Sequence, residues 1–300
     1  MTQNITTFTE AVLEQNPLHK KFMQTALSSM TPDEKTRFET YIDYCAEKGL
    51  DTGYLADCYM TIVEDTLREQ MYFQRHGHYR HNSFADVAND VYFNDEYMSR
   101  YMYGLALTSF LWPNHLAMAR FFNETLPTDK TGAYLEIGPG HGYYLMTAMA
   151  RSAFTSFLGV DISKTSIEQT RALITHFAPD KKDAFDLKEM DFLDSSLPDN
   201  SFDAIVMGEV LEHVEKPDAF LKEIARIAKP DAYIFVTTCI NAPAVDHIYL
   251  FKSPDELDTL FHDCSLEIAT PCLCPYEGKT LAESAALKLP VNVAYVLRKT

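Results

Sequence analysis

Seven residues constrain this 300-residue chain more than any others: Glu136-Ile-Gly138-Pro-Gly140-His-Gly142. An apolar run, Ala133 to Ile137, precedes them, and a helix-compatible stretch, Tyr143 to Arg151, comes after. Strand, tight glycine loop and helix together let a ligand approach backbone N–H groups at a helix N-terminus. A dinucleotide loop has its third glycine at the position held here by Tyr143, so the spacing is GxGxG rather than GxGxxG. The charge selects further. Glu136 stands at the strand end, where it repels a pyrophosphate and favours a cationic ligand.

Beyond Arg151 the chain repeats strand and helix in turn. Ser156 to Val160 reads as a second strand ending at Asp161, and Ser163 caps a helix to about Phe177. Leu187 to Phe192 reads as a third strand and Phe202 to Met207 as a fourth. A helix from Pro217, a strand over 232–238, a helix from Pro254 and strands near 266–269 and 292–297 complete the series. This alternation predicts a parallel α/β sheet covered on both faces, with ligands at the C-terminal strand ends. Asp161 is then placed to accept hydrogen bonds from a ribose. Asp191 and Phe192 are placed to meet an adenine.

Residues 1–130 read differently, as an all-helical cap over a domain formed by 131–300. Thr31-Pro32-Asp33-Glu34 is a capping box with proline at the first helical position. A long helix is expected over about 53–75, another from Asn94, and another from Pro113. Segment 71–103 is dense in Tyr, Phe and His, which suits either a pocket lining or a packed aromatic core. His76 and His78 have a spacing that metal sites use, without a context that requires one.

Composition excludes several classes. The net charge is −17, which disfavours nucleic acid and anionic membrane as partners. No apolar run approaches the ~20 residues of a membrane span. The six cysteines form no CxxC pair and read as reduced thiols, so a cytoplasmic setting is expected. The partner expected is a small-molecule substrate; a homodimer through the cap is compatible with its many aromatics.

The ordered series EIGPGHG, VDIS, MDFLD, FDAIVMGEVLEHVEKP and VAYVLRKT resembles the class I S-adenosylmethionine-dependent methyltransferases. The resemblance covers roughly 131–300. It implies a Rossmann-like seven-stranded sheet with an antiparallel last strand, and S-adenosylmethionine as cofactor. It also implies that Glu136, Gly138, Gly140, Gly142, Asp161, Asp191 and Phe192 bind that cofactor, with Glu209 at its border.

Glu209, Glu212 and His213 come after the fourth strand, and a helical turn there would place all three on one face. His247 comes just after the fifth strand. This pattern resembles that of two metal-dependent groups, the ubiquinone-biosynthesis O-methyltransferases and the small-RNA 2′-O-methyltransferases. The resemblance implies a divalent ion, of unspecified identity, on Glu209, Glu212, His213 and His247. It would lower the pKa of a substrate hydroxyl. Two other readings stay open. In a metal-free C- or N-methyltransferase, His213 or His247 would serve as base, with Glu212 beside them. The chain could also bind S-adenosylmethionine without turnover. His141, in the glycine loop, is a further base candidate or a cap for the loop.

Overall fold

The computed structural model describes residues 3–300. Seven helices come first: α1 (Gln3–Gln15), α2 (Lys20–Ser29), α3 (Pro32–Glu47), α4 (Thr52–His76), α5 (Phe84–Val87), α6 (Asp95–Leu111) and α7 (Pro113–Thr125). Their ends arise from local chemistry. Thr31 and Glu34 form the reciprocal capping box, Asp51 and Asn94 accept from the first turns of α4 and α6, and Gly77 closes α4 in a left-handed conformation. Between α5 and α6 the chain makes one π-helical turn, Ala88–Tyr92.

The rest alternates as expected: β1 (Ala133–Ile137), α8 (Tyr143–Arg151), β2 (Ser156–Asp161), α9 (Lys164–Phe177), β3 (Phe185–Glu189), β4 (Phe202–Gly208), α10 (Pro217–Ile227), β5 (Ala228–Ile240), α11 (Pro254–Asp263), β6 (Leu266–Cys274), α12 (Leu281–Ala286) and β7 (Val291–Lys299). The seven strands form one sheet in the order β3-β2-β1-β4-β5-β7-β6. The last strand in sequence is antiparallel to both its neighbours. The third strand ends earlier than the sequence suggests, at Glu189. Asp191 instead caps a short 3-10 turn, accepting from the Leu193 N–H at 2.9 Å.

Strand alternation divides the core in two. Leu135, Ile137, Ile205, Met207 and Val236 face α10 and α11. Tyr134, Ala204, Val206 and Phe235 face α7, α8 and α9. α7, counted with the cap by sequence, thus packs on the sheet through Met118 and Phe122. The remaining cap helices have a core of their own around Phe8, Phe38, Leu55 and Tyr59. Among the described residues, no helix is long and apolar enough to cross a membrane.

Candidate active site

Strand order reverses between β1 and β4, so the loops after their C-terminal ends diverge and open a crevice. The cap covers it and leaves a cavity of about 1280 Å³. The sheet side contributes Gly138, Gly140, Asp161, Asp191, Phe192, Glu209, His213 and His247. The cap contributes Ile62, Tyr92, Met98, Tyr101 and Met102, and α7 adds His115 and Met118.

The glycine loop has the backbone its sequence demands. Gly138 and Gly140 sit at φ of +65° and +53°. A Cβ on Gly138 would meet Val210 Cγ2 at 2.7 Å. At Gly140 the nearest atom beyond the loop is Met102 Sδ at 3.7 Å, so this peptide keeps an open side. Asp161 lies below the loop and accepts from Ser163 N–H at 2.8 Å and Gly140 N–H at 3.4 Å. Burial pushes its carboxyl up to about 6. Phe192 is buried against Phe220, with ring centroids 5.5 Å apart.

Two sequence expectations need correction. Glu136 is not in the cavity wall. On a strand, residues 134 and 136 share a face, and Glu136 lies with Tyr134 under α8. It is 1% exposed, accepts the Tyr134 hydroxyl at 2.7 Å and the Leu145 N–H, and burial pushes it up to about 8. Its role toward a cationic ligand therefore has no geometric support. Gly142 also stays out of the wall. It opens α8 and lets α9 approach, because a Cβ there would meet Leu173 and Thr170 at 3.1 and 3.3 Å. His141 lines the cavity; its ring meets Ser109 of the cap at 3.3 Å and also hydrogen-bonds its own backbone in the loop. Burial lowers its pKa to about 4.

The carboxylate and imidazole cluster does assemble after β4, though not on a helical face. Glu209 has a left-handed backbone, φ +51°, held by its N–H donating to the Thr237 carbonyl and hydroxyl. Leu211–His213 form one turn of 3-10 helix. The turn at Glu209, rather than i to i+4 spacing, brings the two carboxyls together. Glu212 is fully buried; Thr238 donates to its Oε2 at 2.7 Å. Asn292 donates to Glu209 Oε2 at 3.2 Å. The remaining oxygen of each carboxyl, Oε1, is buried with no donor from outside the cluster, where the two carboxyls and the Cys239 thiol meet one another. Burial raises the pKa of both, and Glu209 raises Glu212 further.

His213 and His247 complete the cluster. His213 Nε2 lies 4.0 Å from Glu212 Oε1. His247 Nδ1 donates to the Ala242 carbonyl at 2.5 Å, so Nε2 holds its free lone pair. Burial lowers the His247 pKa to about 4 and keeps the ring neutral. The loop 241–249 that carries it is pinned from below: the Ile248 and Tyr249 N–H groups both donate to the Glu212 carbonyl at 2.9 Å.

The four expected ligands do not form a single group. Among the described residues, the ligating side chains fall into two overlapping triads, Glu212/His213/His247 and Glu209/Glu212/Cys239, each within 4.8 Å. Glu212 is common to both. Cys239 was not expected; it sits near the end of β5 and was legible only as one of six buried-type thiols. His76 and His78 are in neither triad and pack with Tyr72 on the outside of α4. Two carboxyls buried side by side, next to two imidazoles and a thiol, are costly unless something binds them. This donor set fits a divalent cation.

The aromatic segment 71–103 proves to be a brace. Tyr79 accepts from the Ala242 N–H at 3.1 Å. Tyr92 and Tyr101 donate to Asp246 at 3.2 and 3.1 Å. These three hydroxyls hold the loop carrying His247, and Tyr92 and Tyr101 also face the cavity.

Residues 135–236 match the family model described as a methyltransferase domain. Over these residues the chain carries a methyltransferase domain. Among curated relatives, the chain is similar to the mitochondrial ubiquinone biosynthesis O-methyltransferase of Dictyostelium discoideum, with 29% identity over 143 residues, 43% of each chain. The corresponding Neisseria meningitidis protein is 27% identical over 41% of this chain and 50% of its own. Norajmaline N-methyltransferase of Rauvolfia serpentina is 25% identical over 57% and 60%. The chain therefore spans about half the length of the curated relatives it matches. In fold, the methyltransferase domain is similar to geranyl diphosphate C-methyltransferase of Streptomyces coelicolor, with TM-score 0.52 and 15% identity over 66% of this chain and 84% of that one. It is also similar in fold to the [4+2]-cyclase SpnF, with TM-score 0.50 and 17% identity over 60% and 79%. This sheet alone does not specify a reaction.

Proposed function

We propose that the protein transfers the methyl group of S-adenosylmethionine to a hydroxyl oxygen of a small molecule, at a centre that holds a divalent ion. The observation that carries this reading is the fully buried Glu212 carboxyl, which belongs both to the group with His213 and His247 and to the group with Glu209 and Cys239. Similarity to O-methyltransferases among the curated relatives supports it.

The roles divide by position. Gly138 and Gly140 bring backbone N–H groups to the cofactor. Asp161 accepts from the ribose, and Asp191 and Phe192 border the adenine. When bound, the cofactor supplies an electrophilic methyl group. Glu209, Glu212, His213 and His247 would hold the ion, which would polarise a substrate hydroxyl. The mostly apolar cap wall excludes water and orients the acceptor, and orientation is what in-line transfer chiefly needs.

One observation favours a second reading. His213 Nδ1 is engaged by the Asp246 carbonyl at 3.1 Å, which leaves Nε2 as a base available without an ion. Carbon or nitrogen acceptors then come into play.

A single experiment separates these readings. The protein is incubated with methyl-labelled S-adenosylmethionine and a small-molecule extract, with and without a strong chelator. Labelled products that vanish with chelator and return with added Mn²⁺ support the ion-assisted O-transfer. Labelling indifferent to chelator moves the role to His213 alone. No labelling in either arm counts against small-molecule turnover and leaves cofactor binding as the function.

A further inference from the structure

Asp246 is 1% exposed, yet its charge is not answered by a Lys or Arg in any ion pair among the described residues. Two phenols of the cap answer it instead. Tyr101 donates to Oδ1 at 3.1 Å and Tyr92 to Oδ2 at 3.2 Å. Tyr101 belongs to α6, and Tyr92 ends the π-helical turn Ala88–Tyr92, a distortion of the kind often found at functional sites. On its other side Asp246 meets His213. Its main-chain carbonyl lies 3.1 Å from His213 Nδ1, and Oδ2 lies 3.4 Å from the same nitrogen.

Both groups facing Nδ1 are acceptors, so that nitrogen must carry the proton. Nε2 is then left with its lone pair, on the side where Glu212 Oε1 stands 4.0 Å away. We propose that Asp246 is the positioning residue of the reaction centre: clamped by Tyr92 and Tyr101, it holds His213 in the Nδ1–H tautomer. The cap thereby sets the nitrogen that acts, without touching the reacting atoms. This role rests on the proposed function, in which His213 acts through Nε2, whether toward an ion or as a base.

The general chemistry is that of an outer carboxylate orienting an imidazole ligand. Its particular form in this protein is that the carboxylate is held by a different layer of the fold. An asparagine at 246 keeps the shape but can turn an N–H toward Nδ1, which favours the opposite tautomer. Removing the two phenols leaves the carboxylate buried and free to rotate off the ring.

The test uses the full chain labelled with ¹⁵N-histidine, the His213 signals being assigned by their absence in His213→Ala. Long-range ¹H–¹⁵N spectra report which ring nitrogen carries the proton. The wild type is expected to show protonated Nδ1 and bare Nε2. Asp246→Asn, and Tyr92→Phe combined with Tyr101→Phe, are expected to shift His213 toward the Nε2–H form or to a mixture. Binding of Mn²⁺ alone, followed by electron paramagnetic resonance, is expected to weaken about 10-fold or more in the same variants. Tyr101→Phe alone, which removes only an oxygen, gives an intermediate shift and guards against a fold defect in the others. An Nε2–H wild type, or variants that keep both the wild-type tautomer and its Mn²⁺ affinity, would overturn the proposal. A wild type that binds no Mn²⁺ while its variants change tautomer sinks the ion reading and supports the positioning role.

Discussion

The imidazoles of His213 and His247 meet edge to face, with ring centroids 4.7 Å apart and planes at 83°. They come from opposite ends of the chain segment that forms α10 and β5, one from the turn after β4 and one from the loop after β5. Each ring has its Nδ1 engaged by a backbone carbonyl, of Asp246 and Ala242 respectively. Two rings tied in the same way each keep Nε2 as the lone pair, and each offers a nitrogen within 4.8 Å of the buried Glu212 carboxyl.

Removing any corner of this arrangement should be visible in ion binding. His247→Ala and Glu212→Gln are each expected to weaken Mn²⁺ binding by about 100-fold or more, beyond the effect of losing an outer partner. Calorimetric titration with Mn²⁺ checks this, and with S-adenosylhomocysteine it should show nearly unchanged cofactor affinity. Wild-type Mn²⁺ affinity in either variant would remove the residue from the site.

Asp161→Asn tests the ribose assignment. Asparagine keeps the volume but replaces one acceptor oxygen with a donor. A hydrogen bond to a charged group is worth roughly 1.5–3 kcal/mol, so cofactor affinity is expected to fall about 10- to 100-fold. The circular dichroism spectrum should not change. If titration with S-adenosylhomocysteine shows no loss, the ribose lies elsewhere.

Glu136 makes a prediction about pH. Its folded-state carboxyl stands at about 8, above the ordinary 4.5, because burial disfavours its charge. The folded state thus binds a proton more tightly than the unfolded chain. Stability from this group is complete below about 4.5 and declines as pH rises through about 8. Glu136→Gln should flatten that decline, on the order of a few kcal/mol between acid and alkaline limits. Urea denaturation of both proteins at pH 5 and pH 9 measures it. Equal pH slopes would show that Glu136 is ionised in the fold.

Gly138→Ala should damage both fold and site. The position needs φ of +65°, and the added methyl would meet Val210 Cγ2 at 2.7 Å. A strained left-handed residue costs roughly 1–3 kcal/mol, so the melting temperature should fall. Cofactor affinity should fall with it, because Val210 carries the turn to Glu212. An alanine variant with unaltered melting and binding would show that this loop rearranges freely.

Much of the methyltransferase domain was legible in the chain because its signals are local. Ser163 caps the helix beginning just after it, and in the cap region Thr31 and Asn94 do the same. The glycine loop required positive φ, and the structure has it. Errors arose where orientation mattered. Glu136 was placed by its distance from Gly138, yet its partner by strand parity is Tyr134. Period two was the available signal, and it pointed under α8. The helical face expected for Glu209, Glu212 and His213 failed because Glu209 is left-handed, a backbone state that an L-residue seldom adopts without tertiary support. Asp246 drew no notice beside His247, since nothing local connects it to tyrosines 145 and 154 residues earlier.

By itself the sequence determined the order of elements, the class of sheet, the glycine loop and the residue types at each strand end. Those depend on hydrophobic period, caps and turns, which act over a few residues. Only the tertiary structure decided which of those side chains meet. The sheet placed β5 between β4 and β7, which put Thr237, Thr238 and Asn292 around the two glutamates. The cap then supplied Tyr79, Tyr92 and Tyr101 to the loop that bears His247. Contacts of that kind depend on how layers stack, and the one-dimensional pattern of a chain carries no direct record of them.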